Sequence, residues 1–152
     1  MKLSVLVPVY NLARFIEPCL LSLLEQQTDF EFEVIAIDDG SSDDSWSIMQ
    51  RLARQWPALR ALQNEQNMGL ARTQKRLLGE AKGAYLAYVD GDDLALPGKL
   101  QRQADYLDAH PGCTLCCHEA EMFDDESDAR IKLFTRAYYN ARDLEPVMTS
   151  EA

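Results

Sequence analysis

The segment Tyr85 to Pro97, YLAYVDGDDLALP, brings three carboxylates together directly after an apolar run. The run predicts a buried strand, and Asp90, Asp92 and Asp93 lie in the loop that follows it. Gly91 lets the backbone turn sharply, so the acids on its two sides can approach one divalent ion. The pattern predicts a metal site at the carboxyl end of a strand. The alternative interpretation is an acidic turn with solvated charges.

A second polar cluster, DDGSSDDS from Asp38 to Ser45, follows another apolar run. Gly40 favours a sharp turn, and serines and aspartates are frequent helix caps. Because adjacent residues at a strand end point in different directions, Asp38 or Asp39 should face a crevice. A carboxylate there can accept hydrogen bonds from a base or from ribose hydroxyls. We therefore favour ligand binding over simple capping for this motif.

A third segment, NMGLAR from Asn67 to Arg72, opens a basic helical stretch. A guanidinium at this place could meet a diphosphate or stack on a base. Arg72 is the predicted ligand contact. Lys75 and Arg76 are predicted to lie on a solvated helix face.

Strands alternating with helices must position these clusters. Short apolar runs predict strands at residues 3–9, 32–37, 59–63, 85–89 and 113–117, and amphipathic stretches predict helices at residues 14–27, 43–56, 69–81 and 97–110. This α/β alternation predicts a Rossmann-like, mostly parallel sheet with helices on both faces. Ligands of such sheets bind outside the carboxyl ends of the strands. The acidic clusters and the Tyr10-Asn11 pair after the first strand should therefore converge on one site.

The pattern changes near residue 118, so we predict an α/β domain over residues 1–118 and an incomplete C-terminal extension of it over residues 119–152. Within the extension, residues 121–123 and 131–134 flank a polar turn and predict a hairpin. A short helix is predicted around Leu144.

Composition narrows the function classes. The 152 residues are 47% hydrophobic and 26% charged, which is typical of one globular domain with a real core. A net charge of −10, from 25 acids and 15 bases, opposes binding to nucleic acid or to an anionic membrane surface. No apolar run approaches the roughly 20 residues of a membrane span, and Met1-Lys2 leads straight into a strand rather than a signal peptide. We expect a cytoplasmic protein.

Four cysteines, Cys19, Cys113, Cys116 and Cys117, are predicted to be reduced, the last three as buried strand residues. The CxxC spacing of Cys113 and Cys116, near His118, leaves a zinc site as an alternative. It is a weak match, because zinc ribbons need a second ligand pair. Residues 113 and 116 of a strand would also point to opposite faces.

Four ordered motifs together resemble the N-terminal half of a GT-A-fold, family 2 glycosyltransferase: VLVPVYN (Val5 to Asn11), VIAIDDGSSDDS (Val34 to Ser45), NMGLAR (Asn67 to Arg72) and YVDGDDLALPGKL (Tyr88 to Leu100). The resemblance runs from about Leu3 to Cys117. It implies inverting transfer of a sugar from a nucleoside-diphosphate donor to a saccharide or lipid-linked acceptor. It also implies a role in making cell-wall or surface polysaccharide.

The resemblance implies roles for matching residues. Pro8 and Tyr10 would contact the nucleotide, and Asp39 would recognise its base, typically the uracil of a UDP-sugar. Asp90 and Asp92 match the DxD pair of the family. The first faces the ribose or the metal, and the second holds Mn²⁺ or Mg²⁺ against the donor diphosphate, whose developing charge the cation neutralises. In inverting members a carboxylate base takes the acceptor proton.

That base has no recognisable motif here, although acids are available at Glu119, Glu121, Asp124, Asp125 and Glu126. We therefore expect a truncated enzyme or a donor-binding fragment, with a longer form that could sit at the inner face of the membrane. A non-catalytic interaction module is one alternative, and an exposed apolar edge would then favour a homodimer. A Mg²⁺-dependent phosphatase of the haloacid dehalogenase type is less favoured. Its acidic loop follows the first strand of the core and carries Thr or Val where this chain has Leu94.

Overall fold

A computed structural model of the chain describes residues 1–124, 126–127 and 129–133. It divides into two compact units, Met1–Ala109 and His110–Ala152. The first unit holds a four-stranded sheet and four helices, and the described part of the second holds a two-stranded hairpin. The boundary at residue 118 stays a prediction.

The elements of the first unit alternate along the chain. They are β1 (Leu3–Val9), α1 (Ile16–Leu24), β2 (Phe32–Asp38), α2 (Ser45–Gln55), β3 (Leu59–Gln63), α3 (Leu70–Glu80), β4 (Tyr85–Tyr88) and α4 (Lys99–Ala109). The sheet order is β3-β2-β1-β4, with every pair parallel. Val9 of β1 lies opposite Asp38 of β2, and Asp38 lies opposite Gln63 of β3, so these three strands end at a common edge.

Burial on both faces of the sheet explains the unbroken apolar runs in β1 and β2. One face carries the larger core, where Val5 and Val7 of β1 pack with Leu20 and Leu23 of α1. The other face carries a smaller core, built from Leu6, Ile35, Ile37 and Leu77, in which Leu77 comes from α3. Helices therefore cover both faces, and the predicted mostly parallel α/β sheet is confirmed.

The predicted fifth strand is wrong. Residues 113–117 form no strand, and Cys113, Leu115 and Cys117 are exposed. The N–H of Cys113 instead closes a turn by donating to the carbonyl of His110 at 2.8 Å. A strand needs a hydrogen-bonded neighbour, and the two described strands of this unit pair only with each other. The three cysteines are therefore not buried strand residues.

The predicted hairpin is confirmed by β5 (Glu121–Phe123) and β6 (Arg130–Leu133), which pair antiparallel with Glu121 opposite Leu133. The helix predicted around Leu144 lies outside the described residues. Within the part of the chain that the structure describes, no helix has both the length and the hydropathy needed to cross a bilayer.

Candidate functional site

A cavity of about 350 Å³ lies at the carboxyl ends of β1, β2 and β4. Its walls come from four segments: Pro8 and Val9 at the end of β1 with Tyr10 and Leu12 just after it, Asp39 after β2, Asn67, Gly69, Leu70 and Thr73 at the start of α3, and Asp90, Gly91 and Asp92 after β4. The structure thus brings together the polar clusters expected to converge. Arg72 does not line this cavity.

The backbone of the acidic loop packs tightly, at Gly91, against the end of β1 and the segment that follows it. Gly91 is buried, and a Cβ there would lie 2.9 Å from the side chain of Leu12 and 3.1 Å from the carbonyl oxygen of Pro8. Because a larger residue would push the loop away, glycine allows this close approach. Asp90 and Asp92, on its two sides, are both exposed at the cavity.

Helix α1 anchors the same loop through a polar stripe, defined here as Cys19, Ser22 and Gln26. The Cys19 thiol donates to the carbonyl of Asp90 at 3.5 Å, the Ser22 hydroxyl accepts from the Ala95 N–H at 3.0 Å, and the Gln26 amide donates to the Leu96 carbonyl at 3.0 Å. The spacing of three and four places these side chains on one helix face. The backbone of the loop that carries the carboxylates is therefore anchored to a helix.

Asp39 is a buried carboxylate in the cavity wall. Its Oδ1 accepts from the Asn64 amide at 2.6 Å and from the Met68 N–H at 2.9 Å, and its Oδ2 accepts from the Gly69 N–H at 2.9 Å. Burial alone would raise the Asp39 pKa, but these bonds and one from Thr73 outweigh it and lower the pKa. The negative charge therefore faces the N-terminus of α3, where the helix dipole favours it.

The adjacent Asp38 points elsewhere. Its Oδ2 accepts from the Ser41 N–H at 3.1 Å and from the Gln63 amide at 3.0 Å, so it ties the turn after β2 to the end of β3. Of the two adjacent acids, Asp39 is the one that lines the cavity.

Gly40 permits a close contact between two loops. Its φ of +68° is left-handed, and a Cβ there would lie 2.7 Å from the backbone nitrogen of Asn67. Both facts favour glycine. The turn after β2 can therefore touch the segment that enters α3.

The remaining residues of the DDGSSDDS motif hold the loop after β1. Three consecutive N–H groups donate to them at 2.9 Å: Asn11 to the Ser41 hydroxyl, Leu12 to the Ser45 hydroxyl and Ala13 to the Asp43 carboxylate. Burial opposes ionisation of Asp43, but bonds from Ser45 and the Ala13 N–H lower its pKa. The motif thus combines one cavity residue with a structural clamp that positions Tyr10.

The basic residues of α3 separate into different positions. Leu70 and Thr73 face the cavity at helical spacing, whereas Arg72 lies between them in sequence and is exposed. Arg76 was predicted to lie on a solvated helix face, and this prediction is wrong. Its guanidinium donates to the Gln63 carbonyl at 2.7 Å and to the Asn64 side chain at 2.6 Å.

Sequence reasoning missed Asn64 and Thr73, and it named Asn67 only as the first residue of the NMGLAR motif. A signal existed for Asn64, since it follows β3 at the same sheet edge as the other clusters. Thr73 could have been found from the three-residue spacing after Leu70. Neither Asn64 nor Thr73 carries a charge, so neither has the strong attraction to a cation or a phosphate that indicates a role for Asp90, Asp92 or Arg72.

The donor set fits a divalent cation only in part. Among residues 1–124, 126–127 and 129–133, no three His, Cys, Asp or Glu side chains lie close enough to hold a metal ion. Asp90 and Asp92 provide two hard oxygen ligands at the cavity. Mg²⁺ is commonly held by one or two carboxylates plus substrate phosphates and water. The residues therefore fit a cation whose coordination a bound diphosphate completes.

Comparison with known proteins gives consistent results. The family model described as Glycosyl transferase family 2 matches residues 4–148. The uncharacterized glycosyltransferase EpsJ of Bacillus subtilis is 30% identical over 148 residues, which are 97% of this chain and 42% of EpsJ.

Two solved structures share the fold. Staphylococcus aureus TarS 1–349 in complex with UDP-GlcNAc has a TM-score of 0.66 and 34% identity, over 73% of this chain and 32% of TarS. The mannosyltransferase PcManGT from Pyrobaculum calidifontis, in complex with GDP-Man and Mn²⁺, has a TM-score of 0.64 and 29% identity, over 70% of this chain and 32% of that protein. The chain spans less than half the length of each. With its GT-A-type sheet and the match over residues 4–148, the chain belongs to glycosyl transferase family 2.

Proposed function

We propose that the cavity binds a nucleoside-diphosphate sugar, the donor of a glycosyl transfer. The observation that carries this proposal is the pairing of an apolar wall, formed by Tyr10, Leu12 and Leu70, with two exposed carboxylates on the same cavity. The wall suits a base and ribose, and the carboxylates suit a cation that accompanies a diphosphate. The volume lies in the range of small-molecule sites, about 300 to 1,000 Å³.

The nucleoside would lie against Pro8 and Tyr10, with its base directed towards Asp39. Half of the Tyr10 side chain is exposed, at 49%, so its ring is available for contact. Asp90 would meet the ribose or the metal. Arg72 lies outside the cavity lining, so its proposed contact is with a part of the donor that extends beyond it.

Asp90 and Asp92 would hold Mn²⁺ or Mg²⁺. A chain of net charge −10 that presents two carboxylates repels a bare diphosphate, which makes a cation necessary for binding. A bound cation would neutralise the negative charge that develops on the diphosphate as it leaves. The chain's own task is to fix the two carboxylates, which Gly91 and the polar stripe of α1 do.

Transfer with inversion to a saccharide or lipid-linked acceptor is proposed for a longer protein, because the chain spans 42% of EpsJ. We assign no general base. In the hairpin unit Glu121 pairs with Arg130 at 3.2 Å, and Asp124 accepts from the Ser127 hydroxyl at 2.7 Å. Donor binding is therefore the function proposed for these 152 residues themselves.

Calorimetric titration of UDP, UDP-GlcNAc and GDP, with and without Mn²⁺, tests the proposal. We expect Mn²⁺-dependent binding that weakens at least about tenfold in Asp92→Asn, a loss of some 1.4 kcal/mol. The matched control is Asp105→Asn on α4, which removes the same charge from an exposed position outside the cavity. Nucleotide binding whose affinity is unchanged both by Mn²⁺ and by Asp92→Asn would contradict the metal-assisted donor site.

A further inference from the structure

A chain of hydrogen bonds, part-buried at Arg76 and buried at Asn64, leads from α3 to the cavity wall. Arg76 donates to Asn64 Oδ1 at 2.6 Å, and Asn64 Nδ2 donates both to Asp39 Oδ1 at 2.6 Å and to Thr73 Oγ1 at 2.9 Å. Asn64, Asp39 and Thr73 are only 3%, 4% and 1% exposed. Two of them, Asp39 and Thr73, nevertheless line the cavity.

Arg76 determines which way the Asn64 amide faces. A guanidinium only donates hydrogen bonds, so the amide oxygen must point towards it and the amide nitrogen towards Asp39. A flipped amide would set NH₂ against the guanidinium and oxygen against a carboxylate, losing both bonds. The second bond of Arg76, to the Gln63 carbonyl at 2.7 Å, keeps the guanidinium in place.

Asn64 in turn determines what Thr73 and Asp39 offer to a ligand. Because Asn64 donates to Thr73 Oγ1, that oxygen acts as an acceptor towards Asn64, and its own proton remains to be donated elsewhere. Thr73 helps to lower the pKa of Asp39, which is consistent with this proton pointing to the carboxylate when no ligand is bound. The wall therefore presents a carboxylate that accepts beside a hydroxyl that donates.

This pair matches one kind of base edge. Uracil and guanine carry a ring N–H next to a carbonyl, so the N–H can donate to Asp39 while the carbonyl accepts from Thr73. The hydroxyl proton then turns from Asp39 to the base, which leaves room on the carboxylate for the new donor. Cytosine and adenine have an unprotonated ring nitrogen at that place and would set a lone pair against the carboxylate.

We infer, building on the proposed contact of Asp39 with the base, that Thr73 is a further specificity-determining residue, whose hydroxyl donates to a carbonyl next to the ring N–H of the base, and that Asn64 and Arg76 are positioning residues for Thr73 and Asp39. TarS with UDP-GlcNAc and PcManGT with GDP-Man are structures in which both bases are of this kind. Neither Asn64 nor Arg76 needs to touch the ligand.

Titrations on the unaltered protein with Mn²⁺ give the first test. We expect UDP to bind at least about tenfold more tightly than CDP or N3-methyl-UDP, since both analogues lack the ring N–H. Equal binding of the three nucleotides would overturn the inference and leave the donor site standing. No binding of any nucleotide would instead count against the proposed function.

Substitutions then distinguish a role in discriminating between bases from a purely structural role. Thr73→Val keeps the shape of the side chain and removes its hydroxyl, so the preference for UDP over CDP should fall to about threefold or less, and Thr73→Ser should restore it. Arg76→Ala should reduce the preference for UDP over CDP in the same way. Arg76→Lys should retain part of that preference, because the lysine can still donate to Asn64. A purely structural role would weaken UDP and CDP equally, and that result in both Thr73→Val and Arg76→Ala would overturn the inference.

Discussion

Three of the cysteines, Cys19, Cys113 and Cys117, lie in two kinds of surroundings, and the contrast shows how strongly the environment of a residue determines its chemistry. Cys19 is fully buried in α1 beneath the acidic loop. Burial first, and then the charges of Asp93, Asp92 and Asp90, raises the pKa of its thiol to about 12. Cys113 and Cys117 are exposed in the second unit. Since the thiolate is the nucleophile, Cys19 should be inert.

Alkylation at pH 8 measures this contrast. We expect iodoacetamide to label Cys113 and Cys117 of the native protein while Cys19 stays unlabelled, as read by mass spectrometry of peptides. Unfolding the protein in urea before labelling should make Cys19 as reactive as the others and serves as the control. Labelling of Cys19 at a similar rate in the native protein would show that the acidic loop does not pack on α1 as described.

At the scale of elements, α1 determines where the acidic loop lies. Gln26 is the buried end of the polar stripe, with its amide also donating to the Ser22 and Ala95 carbonyls and accepting from the Leu100 N–H. One side chain therefore joins α1 to both the loop and the first turn of α4. Partners that hold metal ligands commonly affect affinity roughly 10- to 100-fold when removed.

Gln26→Ala should therefore weaken Mn²⁺-dependent UDP binding roughly tenfold, even though Gln26 does not line the cavity. The adjacent Gln27→Ala provides a matched control, because Gln27 is exposed and its amide donates locally, to the Glu25 carbonyl at 3.2 Å. Calorimetry of the two variants beside the unaltered protein compares them directly. Equal affinities in all three proteins would mean that the acidic loop keeps its position without the hydrogen bonds of Gln26.

Sequence patterns predicted the elements better than the orientations within them. The strand runs and the rule that parallel strands share a carboxyl edge were enough to bring Tyr10, Asp39 and Asp90 to one cavity. The choice of Arg72 had less support, because the face that a helix presents depends on packing that a short motif does not specify. The strand predicted at residues 113–117 failed for a related reason. Its apolar pattern was local, whereas pairing requires a neighbour from elsewhere in the chain.

At the scale of the whole molecule, the first unit is held at the sheet edge opposite the cavity by a buried acid. Glu33 Oε1 accepts from the Ser4 hydroxyl at 2.7 Å and from the Lys82 N–H at 3.1 Å, and its Oε2 pairs with Arg60 at 3.2 Å. Arg60 also pairs with Glu80 at 2.6 Å. This network joins β1, β2 and β3 to the connection between α3 and β4, and so supports the elements that form the cavity walls.

The stability of the protein should consequently depend on the ionisation of Glu33. Burial alone would raise its pKa, but the bonds from Ser4, the Lys82 backbone and Arg60 lower it below the ordinary value of 4.5. A carboxyl whose pKa is lowered by folding stabilises the native state above its unfolded pKa, and this contribution is lost as the pH falls through the folded pKa. Glu33→Gln should therefore lower the free energy of unfolding by about 2 kcal/mol at pH 7, the usual scale for hydrogen bonds to a charged group.

The difference in unfolding free energy between Glu33→Gln and the unaltered protein should shrink as the pH falls below about 4.5, because protonation of Glu33 then removes the same charge from the unaltered protein. Urea unfolding followed by circular dichroism at pH 7, 5 and 3.5 measures the difference at each pH. Glu65→Gln removes the same charge from an exposed position and should change the unfolding free energy little at any pH. A loss of unfolding free energy that stayed constant from pH 7 to 3.5 would show that it comes from packing around residue 33 rather than from its charge. The ion pair between Glu33 and Arg60 would then not be what stabilises this edge of the sheet.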